Sequence, residues 1–244
     1  MNKYFIYDNI VRGAGIGHII TSYNYGLDYA TRHNLKWVPG KIKPGHCLET
    51  KSSFESELGL PTISEQERVN ILQNHECEHM KYGDDGGICN DFSKTGIIYR
   101  DWYNCSRDGK DNVFLSSEKV NICISIRRGN LAAAGPGHRM AHRLRPLKSY
   151  VQKLKWLIDE QNISNYRLII STDLRGHKNC LVDRNNDPKN VDDVFAGYNT
   201  DLVFLPFSED LGADQKYTTW DFFHTAVASE YFIGSVSGVS SIIR

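Results

Sequence analysis

Two adjacent arginines occur where the sequence pattern predicts the end of a buried strand. Arg127 and Arg128 directly follow VNICISI at 120–126, an apolar run that predicts a buried strand. In an open parallel sheet, ligands bind at the carboxyl ends of the strands. A planar guanidinium offers paired donors that match phosphate oxygens, and its charge needs an anionic partner when it is buried. The pair therefore predicts a phosphate site, with a structural salt bridge to a core carboxylate as the alternative.

A second anion site is predicted near the C-terminus, where small hydroxyl residues and glycines follow a short strand. The strand pattern YFIG at 231–234 leads into SVSGVSS at 235–241. In a strand-to-helix turn, amides and hydroxyls can hold a phosphate, and Asp221 on the preceding helix could accept from a base or ribose. A serine helix cap is the alternative. The residues predicted to form the turn are Ser237, Gly238, Val239 and Ser240.

A glycine-rich segment, GAGIGH at 13–18, lies between a strand pattern and a helix pattern. Gly15 and Gly17 would let a phosphate or a sugar hydroxyl approach the backbone amides at the start of the helix. The third glycine of a dinucleotide-binding fingerprint is missing, and no acidic residue ends the second strand. The segment is therefore interpreted as either a ligand loop or a tight turn.

A short motif indicates different chemistry. His75, Glu76 and His79 satisfy H-E-x-x-H, which on a helix puts two imidazoles on one face for zinc, with the glutamate as base. The longer metalloprotease pattern fails, because Tyr82 stands at its glycine position and Asp85 at its third histidine. Three interpretations stay open: a zinc metalloprotease, a structural metal site completed by Cys89 or His46, and a solvated charged face.

The composition is that of an ordinary globular protein. The 244 residues are 40% hydrophobic and 24% charged, with 29 basic and 29 acidic side chains. This balance gives no indication of nucleic acid or a membrane surface as partner. No apolar stretch reaches the roughly 20 residues of a membrane span, and the N-terminus lacks the pattern of a signal peptide. We therefore expect a soluble, cytoplasmic protein whose scattered cysteines are mostly free thiols.

Strand and helix patterns alternate, which predicts an α/β protein. In the first half, a strand at 3–8, a helix and a strand at 35–39 predict a parallel pair. Between 40 and 119 the pattern is weak, and GIIY at 96–99 is the one segment that predicts a strand. The second half has strand patterns at 120–126, 166–171, 201–205 and 231–234, and helix patterns at 147–158 and 218–228. We place a domain boundary after residue 118.

Taken in order, these segments resemble the protein O-fucosyltransferases and their α1,6- and α1,2-fucosyltransferase relatives. The stretch at 13–38 resembles the opening glycine loop, helix and strand of that family. SIRRG at 125–129 resembles its H-x-R-R-G-D segment, and ISTD at 170–173 resembles a strand that ends in an aspartate. The stretch at 221–244 resembles its final helix, strand and serine turn. The resemblance covers residues 3 to 38 and 119 to 244.

The resemblance implies an inverting glycosyltransferase that needs neither a metal nor a cofactor. It implies a GT-B fold of two facing Rossmann-like domains, with the acceptor side in 1–118 and the nucleotide-sugar site in 119–244. The donor would carry a deoxyhexose, with GDP-fucose as the first choice and rhamnose or another deoxyhexose as the alternative, and the acceptor would be a glycan or protein hydroxyl. Arg127 and His18 would be catalytic, the arginine by neutralising the leaving diphosphate. The residues implied to bind the donor are Gly15, Gly17, Arg127, Arg128, Asp173, Asp221, Ser237, Gly238, Val239 and Ser240.

The chain departs from the family pattern beside the two arginines. Ser125 replaces the family's histidine, and Asn130 replaces its aspartate. A module of the same fold that binds a nucleotide or carbohydrate without catalysis is therefore the alternative function. Family members continue into a further helix beyond the position of Arg244, so a reduced or truncated C-terminus is expected. The candidates for the general base are His18, His138 and His142.

Overall fold

The computed structural model describes residues 3–8, 16–40, 42, 54–81, 83, 87–127, 141–172, 191–195, 197–198, 201–206, 219–235, 240 and 242–243. Helices and parallel strands alternate through these ranges, and the predicted α/β class is confirmed. None of the helices described there is long and apolar enough to cross a membrane. The chain divides into two compact units, Met1–Lys110 and Asp111–Arg244, whereas the sequence pattern places the boundary after residue 118.

The first unit contains a three-stranded parallel sheet. Its central strand is β1 (Tyr4–Asp8), which lies between β2 (Lys36–Val38) and β3 (Cys77–Lys81) in the order β2-β1-β3. Both neighbours run parallel to β1, so the carboxyl ends of all three strands share one edge. The helices of this unit are α1 (Ile16–Arg32), α2 (Phe54–Leu58), α3 (Glu65–Asn74) and α4 (Gly96–Arg107).

Helices pack on both faces of this sheet, because successive strand residues point to opposite sides. Phe5 and Tyr7 are buried with Ala30 of α1 on one face. Ile6, which lies between them in the strand, is buried with Ile71 of α3 on the other face. The core of the unit is therefore centred on β1.

The second unit contains a four-stranded parallel sheet. The strands β4 (Val120–Ile126), β5 (Tyr166–Thr172), β6 (Asp201–Pro206) and β7 (Tyr231–Ile233) lie in the order β6-β5-β4-β7. Every pairing is parallel, as the patterns predict. The described helices are α5 (Leu147–Glu160), α6 (Val191–Phe195) and α7 (Thr219–Ala228), and a 3-10 turn spans Ala141–Arg143.

The sheet of the second unit is also covered on both faces. Ile122 and Ile124 of β4 are fully buried with Leu154 of α5. Between them, Cys123 points the other way and packs with Phe222 of α7. Because both faces are buried, five of the seven residues of β4 are apolar, and this is why the sequence predicted the strand so clearly.

An asparagine in the left-handed conformation ends both α1 and α5. Asn34 has φ 53° and Asn162 has φ 51°. The amide after each asparagine donates to a carbonyl of the last helical turn, at 2.9 and 3.0 Å respectively. This cap satisfies carbonyls that the helix end leaves open, and asparagine tolerates the left-handed conformation. The capping asparagines lie two and four residues before the first residues of β2 and β5, respectively.

The prediction of a strand at 96–99 is wrong, because these residues form the first turn of α4. The apolar pattern continues one turn later at Trp102 and Tyr103, which gives the spacing of a helix face. Ile97 is 68% exposed, so the run is not a buried strand. A four-residue segment is too short to distinguish the side-chain period of a strand from that of a helix.

Candidate functional site

In the second unit the strand order reverses between β4 and β7. From β4 the chain adds β5 and β6 on one side, and it then returns to place β7 on the other side. At such a reversal the connections leave in opposite directions, which opens a crevice at the carboxyl ends of the strands where ligands bind. We call the residues that follow these two strands, Arg127, Ser235 and Ser240, the β4/β7 edge.

The pairing of the strands brings Arg127 and Ser235 to the same edge. Ile124 of β4 is aligned with Ile233 of β7. Continuing this register by two residues places Ile126 opposite Ser235, and Arg127 follows Ile126 directly. The arginine of the predicted phosphate site therefore lies beside the first serine after β7.

Arg127 holds a buried donor that has no protein acceptor in the described ranges. Its Nε is buried and makes no hydrogen bond. The alternative of a structural salt bridge finds no support in the described chain, where no carboxylate pairs with Arg127. Leaving a buried donor unsatisfied costs about 1–3 kcal/mol, and more when the group is charged. An anion bound at this edge would supply the missing acceptor.

Buried hydroxyls surround the carboxyl ends of the central strands. Ser125 of β4 is aligned with Ser171 of β5, and both are almost fully buried. Beyond β7, the hydroxyls of Ser235 and Ser240 lie 3.3 Å apart, and both side chains are buried. Among the described residues of this edge, the hydroxyls and the guanidinium are polar groups suitable for phosphate oxygens.

Gly234 lets the two ends of the C-terminal turn come together. A Cβ at this position would lie 2.8 Å from the Cβ of Ser240 and 2.9 Å from the ring of Phe232. A side chain would therefore push Ser240 away. This positioning role was not predicted from the sequence, although the glycine directly after the YFI strand is a signal for close backbone approach.

Cys123 is too deeply buried to act as a nucleophile near this edge. It lies in β4, two residues before Ser125, and is fully buried. Burial raises the pKa of its thiol well above the usual value, so the thiol stays protonated at neutral pH. The cysteines in the described ranges, all free thiols, are Cys77, Cys89, Cys105 and Cys123.

Asp221 lies in the first turn of α7 and is half-buried. Because α7 connects two parallel strands, it runs antiparallel to them, and its first turn lies toward the carboxyl edge of the sheet. Its carbonyl accepts a hydrogen bond from Thr225 at 2.6 Å, and Thr225 in turn contacts Asn112 at 3.0 Å. The position is compatible with the predicted contact to a base or ribose, which stays a prediction.

Gly17 and His18 lie in the first turn of α1. Because α1 connects two parallel strands, this turn lies at the carboxyl end of β1. Gly17 is buried and His18 half-buried, and the His18 carbonyl accepts from the Thr21 hydroxyl at 3.1 Å. The catalytic role of His18 stays a prediction. His142 is exposed in the 3-10 turn. The other predicted residues, Gly15, Arg128, Asp173, Ser237, Gly238, Val239 and His138, lie outside the described residues.

The first unit has a reversal of its own, between β1 and β3. From β1 the chain adds β2 on one side and later places β3 on the other side. Asp8 ends β1, and its Oδ2 lies 2.7 Å from Nε2 of His79 on β3. Arg68 of α3 donates from Nη2 to Oδ1 of the same carboxylate. We call Asp8, Arg68 and His79 the β1/β3 edge; as a cluster it was not predicted.

The structure overturns the helical zinc motif. His75 ends α3 as its cap, and His79 lies within strand β3. The His75 ring lies 4.9 Å from the Tyr4 ring in a tilted arrangement, whereas His79 pairs with Asp8. Tyr4 and Asp8 are the two ends of β1, roughly 13 Å apart at about 3.3 Å per residue. Within the described ranges, no three metal-ligating side chains come together. One zinc ion, which binds imidazoles at about 2 Å, cannot reach both histidines.

Comparisons of this chain with protein-family models, with curated proteins and with solved structures found no match.

Proposed function

We propose that the chain is a glycosyltransferase that binds the diphosphate of a nucleotide sugar at the β4/β7 edge and transfers the sugar with inversion. The observation that carries the proposal is the buried Nε of Arg127, a cationic donor without an acceptor in the described chain. It lies at the reversal of a parallel sheet, where ligands of this fold class bind. The hydroxyls of Ser235 and Ser240 lie 3.3 Å apart at the same edge.

In this proposal Arg127 acts mainly in the transition state. The bond from the anomeric carbon to the diphosphate breaks, and negative charge grows on the departing oxygens. A fixed guanidinium stabilises that charge more strongly than it stabilises the bound donor, so it lowers the barrier to reaction. One such donor contributes about 3 kcal/mol, which is on the order of a hundredfold in rate.

The identity of the donor rests on the resemblance to the fucosyltransferases. We take GDP-fucose as the donor, a glycan or protein hydroxyl as the acceptor, and the metal-independent GT-B arrangement from that resemblance. The observed topology supports the proposal at a coarser level, because both units contain parallel sheets of the kind that bind nucleotides at their carboxyl edges.

Turnover of GDP-fucose by purified protein tests the proposal, with a panel of simple glycosides as acceptors. We expect Arg127→Ala to lower kcat at least about a hundredfold while the protein stays folded. The matched control is Arg145→Ala, which removes an exposed arginine of the same unit. Undiminished turnover in Arg127→Ala would overturn the role given to the guanidinium.

One observation favours a binding module as the second candidate. Ser125, at the position of the family's histidine, is 3% exposed. A hydroxyl so deeply buried cannot reach out to a donor as an imidazole could. Binding of GDP without turnover across the acceptor panel would favour the module, and turnover would exclude it.

A further inference from the structure

Helix α5 of the second unit has a tryptophan at the centre of its outward face. Its inward face carries Leu147, Tyr150 and Leu154, which are buried against the sheet. Trp156 follows Leu154 by two residues, about 200° around the helix, so it lies on the side opposite the core. Its side chain is 63% exposed. One exposed apolar residue needs no explanation by itself, but the charges around this ring give it one.

Lysines flank the tryptophan on both sides of the outward face. With about 3.6 residues per turn, Lys148 and Lys155 lie on one side of the ring, and Lys153 lies on the other side. All three lysines are exposed. We call Lys148, Lys153, Lys155 and Trp156 the α5 face.

Positive charge is concentrated in this part of the chain. Residues 119–158 contain nine basic side chains and no acidic one, although the whole chain has 29 of each kind. The first acidic residues after this stretch, Asp159 and Glu160, lie in the last turn of α5. Because the Cα–Cβ bonds of a helix tilt toward its N-terminus, Trp156 leans away from these carboxylates. The charge of the α5 face is therefore complementary to an anionic partner.

The α5 face is separate from the β4/β7 edge. Because α5 connects two parallel strands, its first turn lies toward the carboxyl edge of the sheet. Trp156 lies nine residues after the first residue of the helix, which is about 14 Å along the helix axis. Its side of the helix also faces away from the sheet. A diphosphate held at Arg127 therefore does not account for the lysines of the α5 face.

The shape of the α5 face favours a lipid surface over nucleic acid. Single-stranded nucleic acid binds in grooves, where cations follow the backbone and successive bases stack on aromatic rings. The α5 face is instead the convex side of one helix, with one aromatic ring at its crest. Tryptophan is enriched where proteins meet the headgroups of a bilayer, and lysines are attracted to anionic lipids. A convex cationic face with a central tryptophan is suited to the flat surface of an anionic bilayer.

We propose that the α5 face binds an anionic lipid surface, with its lysines at the headgroup phosphates and the Trp156 ring among the headgroups. This inference goes beyond the proposed function and does not depend on it. The contact is peripheral, because the apolar side of α5 stays in the protein core. Each lysine near such a surface raises the affinity about fivefold, and salt screens this attraction.

Sedimentation with lipid vesicles tests the role of the lysines. The vesicles contain equal parts of phosphatidylglycerol and phosphatidylcholine, or phosphatidylcholine alone. We expect binding to the anionic vesicles that weakens with added salt, and a much lower affinity for the neutral vesicles. Lys153→Gln combined with Lys155→Gln should lower the affinity for anionic vesicles about 25-fold, because two fivefold contributions are lost.

The matched control combines Lys94→Gln with Lys110→Gln, which removes the same charge from exposed positions of the first unit. We expect this control to bind the anionic vesicles as the wild type does. Equal losses in the two double variants would show that the attraction is not specific to the α5 face. No binding of the wild type to anionic vesicles at low salt would overturn the proposal outright.

Tryptophan fluorescence with the same vesicles tests the position of Trp156. The other three tryptophans of the chain, Trp37, Trp102 and Trp220, are half-buried or buried. We expect a blue shift of the wild-type emission and no shift in Trp156→Ser, which should also bind several-fold more weakly. Val113→Ser is the control, because it removes another exposed apolar side chain of the second unit. A blue shift that persists in Trp156→Ser would mean that a different surface binds the lipid.

A single-stranded oligothymidylate tests the competing partner. Wild-type protein is mixed with the oligonucleotide at the salt concentration used for the vesicles. Binding to the oligonucleotide without binding to anionic vesicles would overturn the proposal and assign the α5 face to nucleic acid. Stabilisation of the wild type by GDP, measured without vesicles, tests the donor site alone, so failure of the lipid contact and failure of the proposed function are distinguishable.

Discussion

The β1/β3 edge and the β4/β7 edge share a topology but differ in how their cations are paired. Each lies where a parallel sheet reverses its strand order. In the first unit, Arg68 bonds Asp8, which also bonds His79. In the second unit, the Nε of Arg127 is buried and has no acceptor among the described residues. Within the described residues, the cation is thus paired with a carboxylate at one edge, and the Nε of the arginine has no acceptor at the other.

The difference indicates that topology sets the place of a site, whereas charge pairing sets its ligand. A guanidinium whose Nε has no acceptor in the described chain is suited to an anion, whereas the cation of the β1/β3 edge already has Asp8 as its partner. The two edges can therefore be told apart by removing their arginines, because only one of these arginines has a partner in the described chain.

The largest loss of stability is expected from Arg68→Met. The change leaves the carboxylate of Asp8, 26% exposed, with His79 as its remaining partner in the described ranges. Breaking a partly buried pair costs about 2 kcal/mol, less than the roughly 3–5 kcal/mol of a fully buried pair. Urea unfolding measures this loss. A change smaller than about 0.5 kcal/mol, the scale of ordinary surface substitutions, would mean that Asp8 does not depend on Arg68.

A smaller loss is expected from Gly234→Ala at the β4/β7 edge. The added methyl group would lie 2.8 Å from the Cβ of Ser240, so the chain must shift. Overpacking of this kind costs about 1–2 kcal/mol. Gly197→Ala in the same unit is the control, because a Cβ there meets nothing within 4 Å. Equal stabilities of the two variants would show that Ser240 moves freely.

The smallest effect is expected from Arg127→Met in the absence of ligand. The change removes a buried donor that has no acceptor in the described chain and keeps most of the apolar stem. Replacing an unsatisfied polar group by an apolar one is close to neutral or stabilising, so we expect a change within about 0.5 kcal/mol. A loss as large as that of Arg68→Met would mean that the guanidinium is paired in the folded protein.

The strands and helices that could be predicted from the sequence are those whose buried apolar residues recur with a clear period. VNICISI at 120–126 is buried on both faces, and the apolar positions of α1, such as Tyr23 and Leu27, are buried as the helical period indicates. Strand β3 was missed because it lies at the edge of its sheet and none of its residues is fully buried. Its letters, CEHMK, therefore have no hydrophobic alternation to recognise.

The two edges differ in how far the sequence could predict them. Arg127 could be predicted as a site residue from the sequence, because it directly follows a clear strand pattern. The β1/β3 edge depends on which strands are neighbours: Asp8 is 60 residues from Arg68 and 71 from His79 along the chain. Local patterns do not contain that information. The zinc interpretation of the H-E-x-x-H motif requires that both histidines lie on one helix. In the structure, helix α3 ends and strand β3 begins within the motif.

The most direct test of the central claim is the stabilisation of the protein by GDP. At 100 times its dissociation constant, GDP should raise the unfolding free energy of the wild type by about 2.7 kcal/mol. We expect Arg145→Ala to keep this gain and Arg127→Met to lose it while remaining as stable as the wild type without ligand. An equal gain in Arg127→Met would contradict the account, because the diphosphate would then be held without the guanidinium.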